Sequence, residues 1–253
     1  MAARSAAGEA SLKLLAWNVN HRGRAKFMSA RMVGALAALS PDLIILTEYV
    51  PHETHGAFTA ALGDMGLVHS RLSQDVPKEN RVLIASRFPL AEGTICAPPI
   101  APSVPSNALH VVVPDVGIEV LGLRIPDYSK QPAIRRACWD WLLATAKAAA
   151  DRPLVIAGDL NTDPKYSRAR CGDRIGQLVN AGFTHAMGEG ASYWTPSGVG
   201  VQIDHGFASK GLTVLASRYV TEVGEHVLLR RPGALSDHAA LWLEFQSGSR
   251  EVG

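Results

Sequence analysis

Cysteine is scarce in this chain: Cys96, Cys138 and Cys171 are the only three among 253 residues. An odd number with no Cys-x-x-Cys spacing argues against a disulfide framework or a cysteine-built zinc site, and fits a reducing compartment. Long apolar runs are also lacking, so no segment approaches the roughly 20 residues that a membrane-spanning helix needs. Residues 1–11 carry Arg4 and Glu9 among alanines and serines, without the continuous apolar stretch of a signal peptide. An excess of one charge is missing as well: the net charge of +2 permits nucleic-acid contact without arguing for it. There is no P-loop, Gly-x-Ser-x-Gly elbow, His-Glu-x-x-His pair or dinucleotide fingerprint, and each absence removes the chemistry that motif serves. No low-complexity linker divides the chain, and the proline-rich stretch 97–106 reads as a loop within one domain. With 47% hydrophobic and 19% charged residues, the chain can bury a large core. The expectation is one cytoplasmic domain over 12–246, with 1–11 and 247–253 as flexible tails.

Short apolar runs are what the chain does contain. Residues 12–17, 43–46, 67–72, 82–86, 154–157, 201–208, 212–220, 227–229 and 239–245 read as strands, and 109–113 with 118–123 as a hairpin. Helical spacing covers 27–39, 53–62 and 175–180. A longer helix is expected from a Ser129 cap, with Pro132 in its first turn, to about residue 150. Its core stripe is read as Ile134, Cys138, Trp141, Leu142 and Thr145. Many strands and few helices predict a layered α+β protein with two packed sheets.

Polar residues stand in five islands at the ends of apolar runs: Trp17-Asn18-Val19-Asn20, Leu46-Thr47-Glu48, Gly158-Asp159-Leu160-Asn161, Gln202-Ile203-Asp204-His205 and Leu235-Ser236-Asp237-His238. In the third, residues 154–157 run into a sharp turn that presents a carboxylate and a carboxamide on one side. The ends of neighbouring strands share one rim, so such islands can converge. Glu48, Asp159 and Asp237 are hard oxygen ligands suited to magnesium or manganese. Asn18, Asn20 and Asn161 are neutral donors and ligands. His238 can donate to a phosphate and be oriented by Asp204. Such a set suits metal-assisted attack of water on a phosphate ester.

In this order the islands resemble the endonuclease/exonuclease/phosphatase superfamily, the exonuclease III and DNase I-like proteins. The resemblance spans roughly residues 12–245. It implies an α+β, four-layer α/β-sandwich of two mostly antiparallel sheets flanked by helices, with the site at one rim. It implies Glu48 as principal ligand of Mg²⁺ or Mn²⁺, Asn20 nearby and Asp237 as a second carboxylate near the metal. Asn18 would support that site, Asp159 would activate or align water, and Asn161 would hold the phosphate. His238, oriented by Asp204, would contact the scissile phosphate.

The match departs at Leu123-Arg124-Ile125-Pro126-Asp127-Tyr128. Many members of the family have His, and apurinic endonucleases Tyr, at the position of Arg124. Arginine stays protonated and cannot shuttle a proton, but it can grip a phosphate or steady a leaving oxygen. Tyr128 is the candidate replacement for the missing hydroxyl. Arg81 is either a phosphate clamp or a surface ion-pair partner. His205, facing away from Asp204's side, is expected to pack locally. The basic run Arg22, Arg24, Lys26 reads first as a solvated loop and second as a phosphate contact. The expected function is metal-dependent hydrolysis of phosphodiesters, with DNA or RNA as first candidate. A small-molecule or lipid phosphate ester is the alternative, and an inactive binding protein on the same fold the alternative of another class. No obligate protein partner is expected.

Overall fold

The structure, a computed structural model, describes residues 11–20, 28–51, 53–74, 80–98, 107–127, 132–229 and 233–247. Tyr128, Ser129, the run Arg22, Arg24, Lys26 and the expected tails lie outside these residues, except for Ser11 and Ser247. Those two extend the first and last strands one residue beyond the expected domain edges.

In chain order the elements are β1 (Ser11–Asn18), α1 (Ala30–Leu39), β2 (Leu43–Tyr49), α2 (His55–Asp64), β3 (His69–Leu72), β4 (Arg81–Ser86), β5 (Ala91–Glu92), β6 (Ala108–Val113), β7 (Ile118–Arg124), α3 (Pro132–Ala148), β8 (Leu154–Asp159), α4 (Asp173–Asn180), β9 (Phe183–Ala186), β10 (Tyr193–Trp194), β11 (Gly200–Val201), β12 (Asp204–Ser209), β13 (Leu212–Val220), β14 (Glu222–Val223), β15 (His226–Val227) and β16 (Ala240–Ser247). One six-stranded sheet has the order β13-β16-β1-β2-β4-β3, the other β5-β6-β7-β8-β12-β9. Each is antiparallel apart from its central pair, β1 with β2 and β7 with β8, which is parallel. A parallel pair needs a crossover, which α1 and α3 supply. The two mixed sheets with their flanking helices form the expected four-layer sandwich.

The strands read as continuous apolar runs because both faces of each sheet are covered. Side chains alternate between the faces. Leu14, Ala16, Leu43 and Ile45 meet Val120, Val155 and Ala157 between the sheets. Leu15, Trp17, Ile44 and Leu46 turn outward beneath Leu36 and Phe58 of α1 and α2. On the other outer face, Leu121, Leu123, Leu154 and Ile156 lie beneath Trp139 and Leu142 of α3 and Leu178 of α4.

Several boundaries differ from the sequence reading. Helix α1 begins at Ala30 rather than 27, because the Ser29 side chain accepts from Met32 N and caps it there. The buried face of α3 is Arg135, Cys138, Trp139, Leu142, Leu143 and Ala146. Of the expected stripe, Cys138 and Leu142 lie on this face, while Ile134, Trp141 and Thr145 flank it half-buried. The reason is polar: Trp139 Nε1 and Arg135 Nη2 donate to Thr162 Oγ1 at 3.1 and 2.9 Å, satisfying the loop that leaves β8. The expected strand 201–208 breaks at Gln202 and Ile203, whose amides donate to Asp163 Oδ2 and Ser192 Oγ. Strands β5, β9, β10 and β14 were not expected from the sequence. Among the described residues, no helix is long and apolar enough to cross a membrane.

At Gly158 the chain has φ 145°, and a Cβ there would lie 2.0 Å from the Leu123 carbonyl oxygen. Gly158→Ala should cost roughly 2–4 kcal/mol of stability through backbone strain and overpacking. Urea unfolding measures this, and an unchanged midpoint would show that β7 can yield at Leu123.

Candidate active site

The site lies where the central strands end. Arg124, Asp159 and Asp204 are consecutive register partners across β7, β8 and β12. In the facing sheet Asn18 partners Thr47, one residue before Glu48. Ligand sites of α/β sheets form at such carboxyl ends of parallel strands.

Backbone irregularities aim the side chains. Between Leu46 and Tyr49, β2 carries one residue more than β4, and in this bulge Glu48 takes φ 53°. A left-handed glutamate is unfavourable and is held by its surroundings. Asn20 and Asn161 have φ 46° and 48°, a region asparagine tolerates.

Asp159 is buried and fully engaged. Its Oδ1 accepts from Asn161 N at 2.9 Å. Its Oδ2 accepts from Asn18 Nδ2 at 2.9 Å and Asn161 Nδ2 at 3.0 Å. Arg124 Nη2 is 2.8 Å from Glu48 Oε1, and its Nε is 3.4 Å from Asp159 Oδ2. Burial raises the Asp159 pKa; His238 and Arg124 draw it down and Asp204 and Glu48 push it up, leaving it at about 6.

Opposite, His238 Nδ1 lies 2.8 Å from Asp204 Oδ2. Tyr219 OH donates to the Asp204 carbonyl at 2.7 Å, and Ser192 Oγ accepts from the Asp204 amide at 3.1 Å. Ser236 Oγ donates to Asn18 O at 2.7 Å, and Trp17 Nε1 to His238 O at 3.1 Å, so the first and last islands are tied together. Burial alone would lower the His238 pKa. The charge and hydrogen bond of Asp204, with Asp159 and Asp237, outweigh it and push it up to about 9.

A cleft of about 320 Å³ opens over these groups, lined by Glu48, Arg124, Asp159, Asn161, Asp237 and His238. Asn18 stands behind Asp159, and Asp204 behind His238. Asn20 is not on the cleft wall; its amide donates to Asn18 Oδ1 at 2.9 Å. Arg81 is also off the cleft wall; its Nε donates to Ser73 O at 2.8 Å. His205 packs locally as expected, with Nε2 at 2.8 Å from Thr162 O and Nδ1 at 2.9 Å from His185 Nε2. The larger cavity of about 580 Å³ between Glu189, Trp194 and Tyr219 contains none of the five islands' charged groups. Asp127, Tyr166, Arg170 and Tyr193 also line the active cleft. The sequence reading gave Tyr166 and Arg170 no role, although the basic residues Lys165, Arg168 and Arg170 follow the third island closely.

The cleft's donors suit a hard cation. Asp159, Asp204 and His238 place ligand atoms within 4.8 Å of one another. Asp204 is committed to His238 Nδ1, however, and Asp159 to its asparagines. Glu48 and Asp237 supply further carboxylate oxygens on the cleft wall. Such an oxygen-rich set fits Mg²⁺ or Mn²⁺ better than a soft metal.

Residues 15–238 match the sequence profile of the Endonuclease/Exonuclease/phosphatase family. The chain belongs to this family. Among solved structures it is similar to a 3′ phosphatase, NExo, from Neisseria bound to product DNA hairpin, at 21% identity and TM-score 0.74 over 93% of this chain and 99% of that one. An AP endonuclease from Archaeoglobus fulgidus is similar at 17% identity and TM-score 0.71, over 92% and 98%. ANGEL2, a 2′,3′-cyclic phosphatase, is similar at 15% identity and TM-score 0.64, over 94% and 96%. No curated protein sequence matches the chain. At these identities the likeness shows the family's fold, shared by proteins that act on different phosphate esters.

The His238 shift has a pH consequence in this family member. A histidine raised from 6.5 to about 9 stabilises the fold fully below pH 6.5 and loses that contribution as pH rises through 9. Asp204→Asn should therefore destabilise the metal-free protein by about 2–3 kcal/mol at pH 7, with the difference narrowing above pH 9. Urea unfolding at the two pH values measures it; a pH-independent difference would mean that His238 is not held protonated.

Proposed function

We propose that this chain is a divalent-metal-dependent phosphohydrolase that cleaves phosphodiester bonds by attack of water, with DNA or RNA as its substrate. One observation carries the reading: Asp159, its carboxylate fixed by Asn18 and Asn161, and His238, bonded through Nδ1 to Asp204, face one cleft whose wall also offers the Glu48 and Asp237 carboxylates. A positioned carboxylate opposite an imidazole that neighbouring carboxylates favour as a cation is the division of labour that water attack on a phosphate requires.

Asp159 aligns the water and takes its proton. Asn18 and Asn161 fix its carboxylate through three hydrogen bonds. His238 donates from Nε2 to a phosphoryl oxygen, while Asp204 at Nδ1 holds the ring and its charge in place. Asn161, expected to hold the phosphate, serves the base instead: its Nδ2 donates to Asp159 Oδ2 at 3.0 Å and to Ile125 O at 2.9 Å, which uses both of its N–H groups. Arg124 cannot move a proton and instead steadies the charge on the leaving oxygen or the phosphate. Glu48 and Asp237, with Asn20 nearby, would hold Mg²⁺ or Mn²⁺, which supplies neutralisation of the phosphoryl charge when bound. The functional unit is the single domain 12–246, acting in the cytoplasm, where its three free cysteines would remain reduced.

Membership of the family supports phosphoesterase chemistry. Nucleic acid as substrate is supported by the neighbour bound to a product DNA hairpin and by the AP endonuclease, although fold by itself selects no substrate. An inactive scaffold would have no need of the complete, mutually oriented set of Glu48, Asp159, Asn161, Asp204 and His238.

Purified protein with Mg²⁺ or Mn²⁺ should cleave plasmid DNA, single-stranded DNA or RNA. Bis-p-nitrophenyl phosphate and p-nitrophenyl phosphate serve as small-ester comparisons. Asp159→Asn should reduce the rate by about a thousandfold or more, and His238→Ala similarly, with circular dichroism unchanged. Full activity in Asp159→Asn would remove that residue as the base. Cleavage confined to small esters would move the substrate to a small molecule. Glu48→Gln should raise the metal concentration needed for half-maximal rate by about tenfold or more. An unaltered metal titration would take Glu48 off the ligand set.

A further inference from the structure

The loop that follows Asn161 carries Lys165, Arg168 and Arg170 within six residues. Its one carboxylate, Asp163, does not neutralise them. Asp163 is buried and accepts from Lys165 N at 2.7 Å and Gln202 N at 2.8 Å. The three basic side chains are exposed. Arg168 meets Asp173 only at 3.6 Å and is 91% exposed, so the contact is weak.

Arg170 is placed differently. Its Cζ lies 3.6 Å from the centroid of the Tyr166 ring. Both side chains line the same cleft as Asp159 and His238. Among the described residues no carboxylate lies within ion-pair distance of Arg170. A guanidinium laid on a ring is held in orientation by its flat face while its N–H edge stays available. That edge matches the oxygens of a phosphate two at a time.

The platform is built rather than loose. Tyr166 N donates to Asp163 O at 2.9 Å and Arg170 N to Ser167 O at 2.8 Å. Cys171 is buried at φ 66°. Gly172 passes so close beneath the loop that a Cβ would lie 1.9 Å from Tyr166 O. On the cleft wall Tyr193 and Thr195 complete the lining.

We propose that Tyr166 and Arg170 form a second phosphate subsite, which grips a non-scissile phosphate of a polynucleotide strand. Lys165 and Arg168 continue the positive track beyond the cleft. The scissile phosphate already has His238 and Arg124, so a further guanidinium serves a further phosphate. A track that leaves the cleft along an exposed loop meets only a substrate long enough to follow it. This inference rests on the nucleic-acid reading above and adds a location to it.

The test is binding of a short fluorescent single-stranded oligonucleotide by Asp159→Asn protein over a range of KCl concentrations, with and without Arg170→Gln. Losing one single-strand phosphate contact should reduce the slope of log K against log[salt] by about 0.7, with roughly tenfold weaker binding at low salt. Arg170→Lys should keep the slope, because the charge remains. In otherwise unaltered enzyme, Arg170→Gln should lower the ratio of kcat/KM for the strand to that for bis-p-nitrophenyl phosphate by about tenfold. A general loss of folding would depress both substrates together, so the ratio separates the two cases. If the unaltered enzyme cleaves strands while Arg170→Gln leaves slope and ratio as they were, the subsite is overturned alone. If the unaltered enzyme cleaves small esters but neither binds nor cleaves strands, the nucleic-acid reading falls and the subsite with it.

Discussion

The rest of the site depends on the burial of one carboxylate, that of Asp159. It ends the central strand of one sheet and is held by Asn18 from the other, across 141 residues of sequence. A buried carboxylate is costly unless its lone pairs are satisfied. Here the satisfaction comes from both sheets at once, Asn18 from one and Asn161 from the other, with the Arg124 charge 3.4 Å away. The interaction that holds the Asp159 carboxylate in place, as its proposed role requires, therefore also closes the two sheets at their common rim. Gly158 follows from the same constraint, because the chain must pass against the Leu123 carbonyl to deliver Asp159 to this position.

The charges at the rim alternate for a reason. Asp159 and Asp204 are direct neighbours across β8 and β12, an arrangement that is repulsive by itself. Arg124 stands beside Asp159, and His238 is bonded to Asp204, so each carboxylate has a cation. The two cations differ in kind. His238 owes its charge to the surrounding carboxylates, whereas arginine is charged everywhere. Arg124 also reaches Glu48 across the cleft. A permanent charge at this position joins the carboxylate expected to hold metal to the one expected to activate water, a coupling that the His or Tyr of other family members would not provide in the same form.

Much of this was legible in the chain because it is local. The runs at 43–46 and 154–157 are continuous because both faces of a central strand are buried, and each ends in the polar residues that reach the rim. His205 could be turned away from Asp204 by strand alternation alone, and it does turn away, toward Thr162 and His185. Other features were not legible because they are settled by partners far along the chain. In α3 the stripe was right at Cys138 and Leu142 but missed Arg135 and Trp139, which face inward to satisfy Thr162, and a hydrophobic period cannot register a polar anchor. Arg81 could be either a phosphate clamp or a surface ion-pair partner by its order in the chain; in the structure its Nε donates to the Ser73 carbonyl, away from the cleft.

By itself the sequence determined the residue types at the strand ends, their order, and the two-sheet class, since periodicity and turn chemistry act over a few residues. Tertiary structure decided which of those ends meet. It turned Glu48 by a bulge in β2, brought Asp204 against His238, and set Tyr166 and Arg170 into the same cleft. Each of these depends on strand register, sheet packing or loop closure between distant segments, and on the requirement that every buried polar group find a partner. No local pattern carries that information.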